Sequence, residues 1–339
     1  MAKIKRFDIK YHSKIKKLLD GINGENTPEF DEIIHGLSNM FPLDLVPLRF
    51  KHLSESYLAI NENNDVKAFL TLSPSKGNFE KWYIRRFFLD ENSYDEGKQL
   101  IDYVISKFGA AGANTFLVYT DESDENSVIL FSKMCGFRHC SSEVLWELNS
   151  AFNLDSSVSK NEFVFFKNSY AKETAELYNN SVLPHFRYSL ECEKEEFYEN
   201  PFRGLGKNLS YKYILEDNNG IYSYSELSSY DNKNWIIDVI LSKQYEDSYF
   251  EVLKTLILIL KNRSRNINIF VRNKNYMTSS KLYEEILTSN GFSEYQRKIL
   301  LVKDFFKPVK SDETITNPAI LLNELPGRPA FTKCNRYNQ

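Results

Sequence analysis

The chain has 339 residues, a length that exceeds one ordinary domain and suits two domains of about 150 residues each. With 42% hydrophobic and 26% charged residues, its composition is that of a folded protein, and the formal charge of −3 argues against nucleic acid as a partner. The longest apolar run, residues 256–260, is too short for a membrane span, and the sequence shows neither a secretory leader nor a Cys-x-x-Cys pair. We therefore expect a cytoplasmic protein with no membrane contact, no disulfide framework and no metal site.

The first half of the sequence alternates strand-like and helix-like segments. The predicted elements are, in chain order, strand 4–9, helix 15–19, strands 56–60, 66–72 and 81–89, a helix after the polar turn 90–97, strand 115–119, a helix ending at Met134, and strand 144–148. The helix after the polar turn has apolar residues three and four apart, from Leu100 to Phe108. The later helix has Asp124 or Asn126 as its candidate N-cap.

The second half repeats this order of elements. It comprises strand 162–167, helix 174–179, strands 211–215, 220–225 and 234–241, helix 249–260, strand 267–271, helix 278–287 and strand 298–302. The pair Gly291-Phe292 repeats Gly136-Phe137 before the last strand. Two unrelated domains would rarely keep this order, so we interpret the chain as a tandem duplication.

The duplication sets the expected domain boundaries. The first domain spans 1–150, a small polar linker spans 151–161, and the second domain spans 162–306. The remaining residues, 307–339, are polar and rich in proline, so we expect a tail that lies on the surface or lacks fixed structure.

The stretch 81–148 has the order of elements that suits an anion-binding site. A buried strand ends at a polar turn and a helix follows at once, so the backbone N–H groups and the dipole at the helix start face that turn. Gly97 would let a phosphate approach the backbone closely, or would only ease the chain into the helix. Asp95 and Glu96 lie in the same turn and would each disfavour a pyrophosphate by up to about 1 kcal/mol if partly exposed.

This stretch resembles the acyl-CoA-binding half of a GNAT-type N-acetyltransferase. In that family the turn after the fourth strand has the form Gln/Arg-x-x-Gly-x-Gly/Ala, and a later helix ends in a form like Leu-Tyr-x-Lys-x-Gly-Phe. Gly97 matches the last small residue of the turn, and residues 131–137 (Phe-Ser-Lys-Met-Cys-Gly-Phe) match the helix end. Two positions depart from the pattern, since Asn92 replaces the Gln or Arg and Ser132 replaces the proton-donating tyrosine.

The resemblance implies an α/β (α+β) chain of two tandem GNAT-like domains, each a mixed, mostly antiparallel sheet that is splayed after its fourth strand and flanked by helices. It also implies acetyl-CoA or another acyl-CoA as co-substrate and no metal. The pantetheine arm of the acyl-CoA would pair with the fourth strand. The cofactor candidates come from the strand end, the turn and the later helix. They are Phe88, Leu89, Tyr94, Gly97, Lys98, Asn126, Phe131 and Lys133. In the second half Phe250 takes the place of the small residue, so that half has a degenerate cofactor loop.

The chemistry implied by the resemblance needs a deprotonated amine, a polarised thioester carbonyl and a proton for the leaving thiolate. A backbone N–H at 88–89 would polarise the carbonyl, and Tyr94 and Tyr119 are available as the acid of the first half. Asp238 lies inside a central strand of the second half, where it is either the base or an ordinary acid at a solvated position. The acceptor pocket of the family forms near an early helical region, which here contains His185, Arg187 and Tyr188.

Three functions remain open at this point. The first is an acyl-CoA-dependent N-acyltransferase acting on a small-molecule or peptide amine. The second is a catalytically inactive GNAT-like tandem that serves as a binding or scaffolding module, which Asn92, Ser132 and the acidic turn favour. The third is a tandem-domain aminoacyl or peptidoglycan-building transferase. The sequence leaves the acceptor amine, the acyl chain length and the oligomeric state undetermined.

Overall fold

The structure is a computed structural model that describes residues 2–15, 54–149, 163–199, 209–263 and 266–305. The predicted linker 151–161 and tail 307–339 lie outside these ranges, and so does the predicted helix 15–19 apart from Ile15. The first predicted strand is shorter than expected, because it ends at Arg6 and a 3₁₀ turn follows at Ile9–Tyr11.

The first half has the predicted order of elements. They are β1 (Lys3–Arg6), β2 (Glu55–Ile60), β3 (Val66–Ser75), β4 (Asn78–Leu89), α1 (Tyr94–Ala110), β5 (Thr115–Asp121), α2 (Glu125–Ile129), which continues as a π-helical turn over Leu130–Met134, and β6 (Arg138–Leu148). Helix α2 is capped by Asp124, whose carboxylate accepts a hydrogen bond from the Ser127 N–H.

The second half follows the same scheme. It contains β7 (Val164–Phe165), α3 (Ala171–Ser181), the short helices α4 (Arg187–Leu190) and α5 (Lys194–Phe197), β8 (Leu209–Asp217), β9 (Gly220–Ser229), β10 (Asn234–Leu241), α6 (Tyr249–Arg263), β11 (Asn268–Lys274), α7 (Ser280–Ser289) and β12 (Phe292–Asp304). The fold class predicted from the sequence is confirmed, since each half is a mixed, mostly antiparallel set of strands with flanking helices.

The strands of the two halves form one continuous sheet. Its order is β1-β2-β3-β4-β5-β12-β6-β11-β10-β9-β8-β7, so β12 lies between β5 and β6. Strand β6 in turn pairs with β11 of the second half. The last strand of each half is therefore built into the sheet beside strands of the other half, while the predicted domain boundaries remain a prediction.

Each half splays where its two parallel strands meet. The β4–β5 pairing ends at Ile84, although β4 continues to Leu89. The β10–β11 pairing ends at Ile237, although β10 continues to Leu241. In the first half a β-bulge at Arg85 accompanies the divergence, because the β3–β4 register shifts there.

Three large apolar clusters hold the helices on this sheet. One lies under α1 and includes Leu301 of β12, and a second lies under α6. The third packs α3 and the segment after it against central strands, and it includes Leu117 and Leu300. Strand β12 thus contributes to the cores on both of its faces, which ties the two halves together.

Candidate functional site

The two points at which the sheet splays each carry a charged residue. Arg85 follows Ile84, and Asp238 follows Ile237, so the two residues occupy equivalent positions in the two halves. Both side chains line the same cavity. The duplication therefore directs its two splay points toward one shared space.

This cavity has a volume of about 330 Å³, within the range of small-molecule sites. Its strand residues come from both halves, its helical residues come from α3 and α5, and Cys192 comes from the segment before α5. The polar and charged members of the lining are Ser75, Lys76, Tyr83, Arg85, Tyr119, Glu143, Tyr178, Glu196, Lys212, Tyr224, Glu226, Asp238, Arg272, Lys274 and Tyr276. Such a lining requires the joined sheet, because neither half supplies it alone.

Asp238 is held by two cations. Its carboxylate lies 3.1 Å from the Lys274 Nζ and 3.3 Å from a terminal nitrogen of Arg272. Burial acts to raise the pKa of Asp238, but the charges of Arg272 and Lys274 outweigh it and leave the pKa below the ordinary aspartate value. Asp238 is therefore ionised at neutral pH, and a carboxylate with a low pKa is a weak general base.

Glu143, in the centre of the sheet, accepts two tyrosine hydrogen bonds. The hydroxyl of Tyr119 donates to it at 3.0 Å and that of Tyr276 at 2.8 Å. Glu143 is only 3% exposed, and Arg272 lies 4.0 Å away. Burial, and then the charge of Glu143, raise the pKa of both tyrosines well above the ordinary value, so both remain protonated hydrogen-bond donors.

Gly97 in α1 is closely covered by apolar side chains. An added Cβ would lie 2.7 Å from Leu89 Cδ1, 3.1 Å from Leu130 Cδ2 and 3.3 Å from Phe87 Cζ. The Gly97 N–H already donates to the carbonyl of Ser93 at 3.0 Å. Gly97 therefore allows α1 to pack closely against β4 and α2, and the N–H groups left for a ligand at the helix start belong to residues 94–96.

Aromatic rings fill the space between α1, α2 and the end of β4. Phe131 packs edge-on against Phe87 with ring centroids 5.1 Å apart, and against Phe137 at 5.3 Å. At the corresponding place in the second half, the rings of Tyr249 and Tyr283 stack with centroids 3.8 Å apart. Both halves thus place rings between the helix after the turn and the next helix.

The chain is similar in structure to known proteins across almost its whole length. A tandem GNAT protein from the clavulanic acid biosynthesis pathway aligns over 91% of this chain and 100% of its own, with a TM-score of 0.59 and 12% identity. The chain has the tandem GNAT fold. A GCN5-related N-acetyltransferase from Sphaerobacter thermophilus aligns over 89% of this chain and 95% of its own, with a TM-score of 0.57 and 11% identity. No protein-family model and no curated protein sequence matches the chain.

Within the tandem GNAT fold, the predicted cofactor residues fall into separate groups. Tyr94 and Asn126 meet, since the tyrosine hydroxyl donates to the amide oxygen across the starts of α1 and α2. Lys98 bonds to Asp102 on its own helix, and Lys133 is exposed. Phe88 points away from Leu89 and stacks on Phe69 with centroids 6.2 Å apart, in a different apolar cluster.

The predicted acceptor residues lie outside the cavity lining. His185 and Tyr188 are exposed, and the Arg187 Nε donates to the carbonyl of Val182 at 3.1 Å, just after α3. Among the residues singled out from the sequence, Asp238 and Tyr119 line the cavity. Within the described ranges, no group of three or more His, Cys, Asp or Glu side chains is arranged to hold a metal ion, and no helix is long and apolar enough to cross a membrane.

Sequence reasoning missed most of the charged cavity. Glu143, Arg272 and Lys274 lie inside strands that are otherwise largely buried, and Arg85 interrupts the apolar end of β4. Charged residues inside central strands are uncommon, so their presence was the available signal. Alternation along β11 puts Arg272 and Lys274 on one face, but only the joined sheet brings them together with Glu143 and Arg85 at one cavity.

Proposed function

We propose that this chain is an acyl-CoA-dependent N-acyltransferase that transfers an acyl group, acetyl first among the candidates, to a small-molecule or peptide amine. The observation that supports this proposal most directly is the splay of β4 from β5 at Ile84 beside a polar cavity, in a tandem GNAT fold. A pantetheine arm pairing with β4 beyond Ile84 would bring its thioester to this splay point.

The residues at the splay fit distinct roles in that reaction. Tyr119 stays protonated, and its hydroxyl would become a hydrogen-bond donor for the thioester carbonyl or the leaving sulfur by turning away from Glu143, which accepts its single proton in the free protein. Asp238 stays ionised and fixes Arg272 and Lys274 at the cavity wall rather than removing a proton. The diphosphate would meet the N–H groups of residues 94–96, because Leu89 and Leu130 cover Gly97.

The packing around Gly97 favours a second candidate function, a catalytically inactive tandem that binds a ligand or partner through the shared cavity. Three apolar side chains lie against the glycine that would otherwise admit a phosphate. The stacked pair of Tyr249 and Tyr283 occupies the equivalent place in the second half. In this second candidate the cavity binds its ligand without an acyl donor.

Acyl transfer is the experiment that separates the two candidates. The full chain would be incubated with acetyl-CoA and with polyamines, aminoglycosides, amino acids and short peptides in turn, while release of the free CoA thiol is followed. Thiol release that requires both acetyl-CoA and one class of amine supports the acyltransferase. If thiol release is no faster with any amine than without an amine, or no faster with the protein than without it, the acyltransferase is overturned. The binding module then remains.

A further inference from the structure

Glu226 is a cavity carboxylate that the described residues hold only through hydroxyl groups. Glu226 accepts hydrogen bonds from Ser210 at 2.7 Å and from Tyr224 at 3.1 Å. No nitrogen of a described Lys, Arg or His side chain lies within 4 Å of it, and Lys212, directly opposite on β8, donates to the carbonyl of Phe197 at 2.9 Å. Glu226 therefore offers a negative charge to the cavity.

The strand register places Glu226 between a cation, Lys212 on β8, that bonds to a backbone carbonyl, and a like charge on β10. Glu226 lies directly opposite Asp238 on the neighbouring strand, and like charges at such positions disfavour the sheet. Arg272 and Lys274 pair with Asp238, at 3.3 and 3.1 Å, and neither lies within 4 Å of Glu226. They therefore neutralise Asp238 and not Glu226. A ligand ammonium would relieve the repulsion at Glu226.

Arg85 is the complementary group. Its Nε donates to Ser73 Oγ at 2.9 Å, and its guanidinium lies over the Tyr83 ring at 4.3 Å. No carboxylate of the described residues lies within 4 Å of this guanidinium. Its terminal nitrogens can therefore form a forked pair with a carboxylate ligand.

The two groups belong to the same space. Both line the cavity, although β4 and β9 are far apart in strand order. The pKa of Tyr230 is raised first by burial, while the charges of Arg85, Arg86 and Arg272 act to lower it and that of Glu226 acts to raise it. Charges from both halves of the sheet thus act on one hydroxyl.

We propose that the cavity binds a small zwitterion of the amino-acid class, with its ammonium at Glu226 and its carboxylate at Arg85. The proposal goes beyond the proposed function: the ligand's carboxylate, not its ammonium, lies at Arg85 beside the splay of β4, so the site is assigned as a binding site and its ligand is not named as the acyl acceptor. The lining has five basic and four acidic side chains, a near balance that suits a ligand without net charge and would disfavour a polycation.

Calorimetric titration of the full chain, without acetyl-CoA, tests this proposal. The probes are glycine, β-alanine, 4-aminobutyrate and 6-aminohexanoate, each compared with the amine and the carboxylate of equal chain length. We expect at least one zwitterion to bind at least tenfold more tightly than either of its two fragments. If no zwitterion binds, or if a fragment binds as tightly as the zwitterion, the proposal is overturned.

Two variants assign the groups to the two ends of the ligand. E226Q and R85Q should each weaken the best zwitterion about tenfold to a hundredfold, because each removes a charged partner from a hydrogen bond. E216Q on the exposed end of β8 and R6Q on β1 remove the same charges outside the cavity lining and should leave the affinity unchanged. Unchanged affinity in E226Q or in R85Q, with the variant folded by circular dichroism, would overturn the assignment.

Acetyl-CoA titration and the transfer assay keep the two proposals apart. If the zwitterion binds as described while no transfer occurs, the binding site stands and the acyltransferase fails. If instead acetyl-CoA binds and another class of amine is acylated while no zwitterion binds, the acyltransferase stands and the zwitterion site fails.

Discussion

Gly97 shows how one residue can match a functional motif and serve packing. It stands at the motif position for a phosphate-binding small residue, yet its surroundings are Leu89, Leu130 and Phe87 at distances that leave no room for a Cβ. Asn92, one of the two departures from the motif, has φ of 60°, a left-handed conformation that asparagine tolerates better than glutamine or arginine. Backbone geometry at the turn therefore accounts for that departure.

The close packing of Gly97 can be tested against a second glycine in the same helix. An added Cβ at Gly109 has nothing within 4 Å, so Gly97→Ala and Gly109→Ala gain the same helix propensity but differ in contacts. We expect Gly97→Ala to be less stable than Gly109→Ala by about 1–3 kcal/mol, measured by urea unfolding. Equal stabilities would show that the space at Gly97 is open.

Asp238 makes a pH-dependent contribution to stability. Its pKa is lowered in the folded protein, so it stabilises the fold above its unfolded-state pKa of about 3.9 and loses this contribution as the pH falls through its folded value. Asp238→Asn should cost about 3 kcal/mol at pH 7, because Arg272 and Lys274 lose their shared carboxylate.

The difference in unfolding free energy between wild type and Asp238→Asn should narrow below about pH 4, as the wild-type carboxylate becomes protonated. Urea unfolding at pH 7 and pH 3 measures it, with Glu216→Gln as the exposed control. A difference that stays constant over this range would contradict the ionised state of Asp238.

At the scale of elements, strand β12 is the feature that joins the halves. It pairs with β5 on one side and with β6 on the other, and Leu301 packs into the core under α1. Leu301→Ala should therefore lower the free energy of unfolding by about 2–5 kcal/mol, as for a fully buried leucine. Ile129→Ala, at an exposed position, should change it by no more than about 0.5 kcal/mol. Similar small losses in both variants would place Leu301 outside the core.

The sequence allowed the order of elements to be predicted because hydrophobic periodicity is local. Leu100 to Phe108 predicted α1, and Asp124 predicted the cap of α2. The insertion of β12 between β5 and β6 could not be predicted in this way, since these pairings depend on contacts between distant segments. The cavity was missed for the same reason, because Glu143 and Asp238 come together only when the strands of the two halves form one sheet.

At the scale of the whole molecule, the continuous sheet makes the two halves depend on one another. Separate domains would unfold separately, whereas strands that interleave at β5-β12-β6-β11 should unfold together. We expect a single calorimetric transition that both Leu100→Ala in the first half and Leu256→Ala in the second half shift to lower temperature. Two resolved transitions, each moved by only one of these variants, would contradict that interdependence.

The shared cavity is the second consequence of joining the halves, because its walls include the splay points of both. A duplicated fold can in this way assign different tasks to its two copies. In the proposed enzyme β4 receives the donor, and the second half contributes Glu226, Asp238 and Arg272 to the rest of the cavity wall.

Binding of acetyl-CoA to the full chain tests the proposed function most directly. Titration calorimetry would compare acetyl-CoA with adenosine 3′-phosphate 5′-diphosphate, a nucleotide that keeps the diphosphate but has no pantetheine arm. Pairing of the arm with β4 predicts micromolar affinity for acetyl-CoA, about −8 kcal/mol, and at least tenfold weaker binding of this nucleotide. Absence of binding by acetyl-CoA, or equal affinity for the two ligands, would contradict a pantetheine site at the splay of β4.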